Sequence, residues 1–131
     1  MSDFRTPLKI VRGHGSAREG AAHWSMQRVS AVALVPLSIW FLSFAASVYG
    51  ADYLAIRYAI AQPLTAALML AFIWAMFYHA YLGLQVVIED YIHQRVLEVG
   101  LLVVIRLTFV LAVMAGTVAV MRLVFLAAEP L

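Results

Sequence analysis

The sequence predicts an all-α membrane protein with three transmembrane helices, and two observations carry that prediction. Of 131 residues, 65% are hydrophobic and 12% charged, against roughly one-quarter charged in an ordinary soluble domain; mean hydropathy is +0.92. The charges are also bunched: residues 29–51, 58–88 and 107–121 contain none, and the last run resumes over 123–128 beyond Arg122. A hydrocarbon core about 30 Å thick needs about 20 apolar helical residues, and each run meets or approaches that length. A soluble enzyme is excluded, because a domain of this size buries only about 60–70% of the surface its unfolded chain exposes. Disorder requires low hydrophobicity. With no cysteine, a disulfide scaffold and thiolate or iron–sulfur chemistry are excluded as well, leaving histidines and carboxylates as the metal ligands on offer.

The elements follow in order. Residues 1–28 form a polar N-terminal tail, and residues 29–128 a three-helix transmembrane domain with spans near 29–49, 64–88 and 101–126. Tyr49-Gly50-Ala51-Asp52 closes the first span, whose Pro36 is tolerated in a membrane helix when neighbours satisfy the freed carbonyl, and predicts a kink. Gln62-Pro63 opens the second span with proline in its favoured first-turn position. Glu89-Asp90 ends it. The tail carries Arg5, Lys9, Arg12, Arg18 and Arg28, the 89–100 loop adds Arg95 with Arg106 close behind, and the opposite side has only Arg57 and Arg122. By the positive-inside rule the N-terminus and that loop are cytoplasmic and the C-terminus periplasmic. The tail is too long and polar for a secretory signal, while Asp3, Glu19 and its shortness argue against a mitochondrial transit peptide and for a bacterial inner membrane.

Chemistry rests on the residues that do not suit lipid. His79 lies inside the second span, about 15 Å along the axis from Glu89, and an imidazole at that depth needs a partner. Two readings stand: a packing histidine bonded to a neighbouring helix, or a metal ligand, most naturally axial to haem iron. Ala67, Ala71, Ala75, His79 and Gly83 recur every four residues, a small-residue stripe that suits a tight helix pair and equally leaves room for a flat macrocycle. One buried histidine implies that a six-coordinate haem takes its second ligand from another chain.

Two further clusters lie at the cytoplasmic end. Asp90, eleven residues after His79, returns to within about 20° of its azimuth, and Tyr91 is one step round. The pair reads as ordinary interfacial side chains or as a phenol beside a carboxylate that hydrogen-bonds and protonates a quinone carbonyl. Before the first span stands His23-Trp24-Ser25-Met26-Gln27-Arg28-Val29-Ser30. Trp24 suits a membrane anchor; Arg28 snorkels to lipid phosphate or pairs with an anionic group such as a haem propionate. Gln27 and Ser30 add neutral donors.

Together Gly15-Ser16-Ala17-Arg18-Glu19-Gly20, His23 through Ala31, and His79-Ala80-Tyr81-Leu82-Gly83-Leu84-Gln85-Val86-Val87-Ile88-Glu89-Asp90-Tyr91 resemble the smaller hydrophobic membrane anchor of bacterial succinate dehydrogenase, of alphaproteobacterial type. The likeness covers nearly the whole chain. It implies a haem-binding bundle shared with a partner anchor, in which His79 is an axial ligand to haem b opposite a histidine of the cytochrome b subunit. It implies that Tyr91 hydrogen-bonds ubiquinone with Asp90 adjacent, that Arg28 lies beside the haem propionates and quinone pocket, and that Trp24 and Gln27 are further pocket candidates. His14, His23 and His93 have no counterpart and are read as surface or interface residues. The implied complex oxidises succinate at a flavoprotein subunit and passes electrons through an iron–sulfur subunit to ubiquinone at the anchors. This chain is then a subunit with no catalytic residue of its own and no nucleic-acid partner, and its basic tail faces either the iron–sulfur subunit or anionic lipid. Two alternatives remain: the anchor cytochrome of another respiratory enzyme, a fumarate reductase or hydrogenase, or a non-catalytic assembly protein or small transporter subunit, in which His79, Arg106 and Arg122 are polar packing residues.

Overall fold

A computed structural model describes residues 18–128; Arg5, Lys9, Arg12, His14 and the 15–17 segment lie outside the described residues. These form four helices and, among the described residues, no strand: α1 (Arg18–Ser47), α2 (Tyr53–Ala61), α3 (Pro63–Tyr91) and α4 (Arg95–Ala128). Three carry stretches long and apolar enough to cross a membrane, Ala22–Ser47, Pro63–Tyr91 and Arg95–Leu126.

Three boundaries differ from the sequence reading, one of them that of α4, which starts at Arg95 rather than near residue 101 and shortens the 89–100 loop to residues 92–94. The first helix starts at Arg18 rather than near residue 29, so His23 through Arg28 are helical. A charge does not end a helix whose backbone ladder can continue, and a long arginine reaches the interface from within one. Residues 53–61, read as part of a joint, instead form α2. Its start is capped by Asp52, whose Oδ1 accepts from Ala55 N at 3.1 Å, a bond worth about 1 kcal/mol to a helix end. Gln62, extended at ψ 131° as the residue before a proline prefers, separates α2 from α3. α1 runs through Pro36 as one helix and stops where Gly50 takes φ +79°, a left-handed conformation that costs a side chain-bearing residue 1–2 kcal/mol, roughly.

Packing places α3 at the centre. Among the described residues α1 packs against α3 alone, while α4 packs against α3 and the short α2. Phe41 stacks on Phe72 at 4.6 Å between ring centroids across α1 and α3. Across α3 and α4, Tyr81 stacks on Phe109 at 5.3 Å and Trp74 Nε1 donates to Thr117 Oγ1 at 3.1 Å. A Cβ built on Gly116 would stand 3.0 Å from Ile73 Cγ2, so the absence of a side chain there sets how closely α4 approaches. Arg106 donates to the Tyr81 hydroxyl at 3.3 and 3.4 Å, which makes that intramembrane arginine a helix-pairing group rather than a free snorkelling one. Arg57 reaches the Leu126 carbonyl at 2.9 Å and joins α2 to the end of α4.

The sheltered apolar set is small: Ala66, Leu82, Ile88, Val113 and Val120. Val32, Val35, Ile39 and Leu42 lie exposed along α1. In water such a face would be intolerable; in a bilayer lipid is as apolar as leucine, and packing and interhelical hydrogen bonds hold the helices instead.

Candidate functional site

The polar residues of α1 that face α3 recur at helical spacing. His23, Gln27 and Ser30 stand at i, i+4 and i+7, on one face of an otherwise apolar helix. Opposite them α3 presents His79 and, one turn on, Gly83. Because α1 and α3 are antiparallel, the start of α1 and the end of α3 meet at one end of the bundle. There they enclose an open groove of about 720 Å³, walled by His23, Trp24 and Gln27 from α1 and by Gly83, Val86 and Glu89 from α3.

Two features make this groove polar. Among the described residues, His23 Nε2 and Gln27 Oε1 are buried without a hydrogen-bond partner, and a buried group left so costs about 1–3 kcal/mol relative to a satisfied one. Both offer themselves to a polar ligand. Glu89 is tied to its own helix, with Gln85 Nε2 donating to its Oε1 at 2.8 Å. Gly83 leaves the floor low: a Cβ there would come within 3.5 Å of Gln27 Nε2.

His79 sits deeper, half-buried between the helices. Its Nδ1 lies 3.0 Å from Ser30 Oγ, and Ser30, 7% exposed, is the buried polar side chain among the described residues. Nε2 has no protein partner among the described residues. Nowhere among them do three or more His, Cys, Asp or Glu side chains cluster as metal ligands, so a metal held at His79 would need ligands from outside the described residues to complete its coordination. A haem iron accepts that arrangement, and an imidazole held at one nitrogen and open at the other fits its axial position.

The remaining predicted residues divide. Arg28 is not turned to an anionic partner among the described residues; its guanidinium lies over the Trp24 ring, 4.6 Å from the centroid, a cation–π contact. Trp24 and Gln27 line the groove. Tyr91, the last residue of α3, is 76% exposed, and neither it nor the exposed Asp90 lines the groove, though both stand at its end of the bundle. His93 is exposed in the connection to α4. His23, read from sequence as a surface or interface residue, is a groove wall, and Ser30 and Glu89 join the site. The i, i+4, i+7 spacing of His23, Gln27 and Ser30 is the signal that finds two of these three.

Comparison with known proteins covers nearly all of the chain. Residues 2–121 match the family described as succinate dehydrogenase/fumarate reductase transmembrane subunit. The chain is 36% identical over 118 residues to a Rickettsia bellii protein, covering 90% of this chain and 94% of that one. It is 31% identical to a Rickettsia typhi protein over the same length and shares. A Paracoccus denitrificans protein is 32% identical over 88 residues, 67% of this chain and 68% of its own. All three are named succinate dehydrogenase hydrophobic membrane anchor subunit.

Proposed function

The chain belongs to the succinate dehydrogenase/fumarate reductase transmembrane subunit family, and from that premise we propose that it anchors a succinate dehydrogenase, ligates haem b through His79 and forms one wall of the ubiquinone-reduction site. The observation that carries the haem assignment is His79 itself: a histidine in the middle of a span, engaged by protein at Nδ1 and making no hydrogen bond at Nε2 among the described residues. When bound, haem would supply a one-electron carrier, held by His79 from this chain and by a companion cytochrome b subunit.

The chain's own residues bind and orient. Ubiquinone takes up two electrons and two protons. Tyr91, which makes no hydrogen bond among the described residues, has its phenol free to donate to a quinone carbonyl, and Asp90 supplies a carboxylate beside it. The exposure of Tyr91 fits a pocket completed by partners, because a quinone site must exclude water and one helix end cannot do so alone. Gln27 and His23 offer the groove's unpaired polar atoms, and Trp24 with the stacked Arg28 forms its outer rim at the headgroup level. Electrons reach this end from succinate through the flavoprotein and iron–sulfur subunits, which dock on the cytoplasmic face of a bacterial inner membrane. The arginine-rich N-terminus and Arg95 support that orientation.

The test is colour. In the assembled complex, a reduced-minus-oxidised b-type haem spectrum should be lost or altered in His79→Ala. An unchanged spectrum in that variant refutes ligation by His79.

A further inference from the structure

The contact between Ser30 and His79 constrains more than position. Ser30 Oγ lies 2.9 Å from the Gln27 carbonyl oxygen in its own helix and 3.0 Å from His79 Nδ1 in the next. A hydroxyl has one proton, and a carbonyl oxygen can only accept. Both contacts are satisfied together in one way: Ser30 donates to Gln27, and His79 Nδ1–H donates to Ser30. The reverse assignment would set the hydroxyl's lone pairs against the carbonyl oxygen and put the ring proton on Nε2.

We propose that Ser30 is a positioning residue for His79. By committing its proton to the Gln27 carbonyl it selects the Nδ1–H tautomer, leaving Nε2 unprotonated and, since the two ring nitrogens diverge, facing away from α1 as a ligand. The inference rests on the proposed haem ligation and says what prepares the ligand for it. Outer-shell acceptors of this kind orient metal-bound histidines and raise their basicity. Here the acceptor is a neutral hydroxyl on a buried serine. Without it the ring loses the interaction that distinguishes its two tautomers, and the Nε2–H form cannot bind iron.

The experiment compares Ser30→Ala, Ser30→Thr, His79→Ala and the Ser30→Ala/His79→Ala double variant in the complete membrane complex. Haem b per flavin, the low-spin ferric haem signal in electron paramagnetic resonance, and the haem midpoint potential are measured. Ser30→Ala should lower haem content several-fold, or shift the resonance and raise the potential, because a less basic imidazole stabilises ferric iron less. Threonine keeps the hydroxyl and its bond to the preceding turn, so Ser30→Thr should restore the wild-type signals. The double variant should match His79→Ala, since Ser30 acts through that ring. Wild-type haem content, resonance and potential in Ser30→Ala overturn the proposal while leaving ligation by His79 standing. So does failure of Ser30→Ala to assemble where His79→Ala does, because a residue acting only through the ligand cannot matter more than the ligand. If neither assembles, Ser30→Thr is set against its hydroxyl-free isostere Ser30→Val. Unlike behaviour, with threonine alone keeping the haem signals, supports the proposal, and like behaviour overturns it. Wild-type haem signals in His79→Ala overturn the ligation reading itself.

Discussion

Replacing Tyr91 by phenylalanine separates the chemistry of quinone reduction from the integrity of the protein. The side chain is 76% exposed and its hydroxyl has no partner among the described residues, so its removal costs this chain no hydrogen bond and creates no cavity. The stability of this chain's own fold should therefore change by no more than about 0.5 kcal/mol, the usual range for surface changes. The catalytic cost is different. A phenol donating to a carbonyl that gains negative charge as it is reduced makes a charge-assisted bond worth about 1.5–3 kcal/mol. At 1.36 kcal/mol per tenfold in rate, its loss slows succinate-driven ubiquinone reduction by roughly 10- to 150-fold. Electron transfer from succinate to a soluble dye that accepts before the quinone site should remain near wild type. The assay is the ratio of the two rates in one preparation. An equal fall in both, or an unchanged quinone rate, refutes a quinone-specific role for this hydroxyl. A fall in thermal stability of the complex refutes the premise that the side chain is structurally idle.

Other expectations follow from single contacts. Gly116→Val should weaken the packing of α4 on α3 by about 1–3 kcal/mol, the usual range for overpacking, because Ile73 Cγ2 already stands 3.0 Å from the new Cβ. Denaturant titration of the purified complex measures it, and shaving the obstruction with Ile73→Ala should recover part of the loss. Trp74→Phe removes the bond to Thr117 across the same pair and should cost about 0.6 kcal/mol, as interhelical hydrogen bonds in membranes do on average. A change above about 2 kcal/mol in the same titration would mean that the indole does more than donate. Tyr81→Phe takes from Arg106 its hydroxyl acceptor; a mid-span arginine without it should reach for the interface, seen as increased labelling of a cysteine placed beside it.

The architecture was legible because its cause is compositional. Three runs without charge can be accommodated only in hydrocarbon, and Pro63 and Gly50 mark boundaries by what their backbones cannot or can do. The extent of α1 was less legible, since the charged run before residue 29 reads as tail although nothing in it prevents a helix. α2 was missed for a related reason: Arg57 interrupts its apolar pattern, and what steadies that arginine is the carbonyl of Leu126, far along the chain.

The site divides along the same line. His79, Tyr91, Asp90 and Arg28 stand out in the sequence because an ionisable or polar group in or beside an apolar run must have a reason to be there. Such a rule identifies exceptions one at a time. It carries no information on which exceptions meet: that Ser30 rather than another helix's group meets His79, that His23 belongs to a groove with Gln27 and Gly83, or that Arg28 lies over Trp24 depends on the register of α1 against α3. That register is set by the stack of Phe41 on Phe72, the small Gly83 beside Gln27 and the Ser30–His79 hydrogen bond, contacts between positions far apart in the chain. The sequence by itself therefore determined the medium, the number of spans and the polar residues carried into them, because transfer of each side chain between water and lipid is a local property. Tertiary structure decided which of those residues act on one another, because a hydrogen bond or a ring contact exists only at distances that packing alone creates.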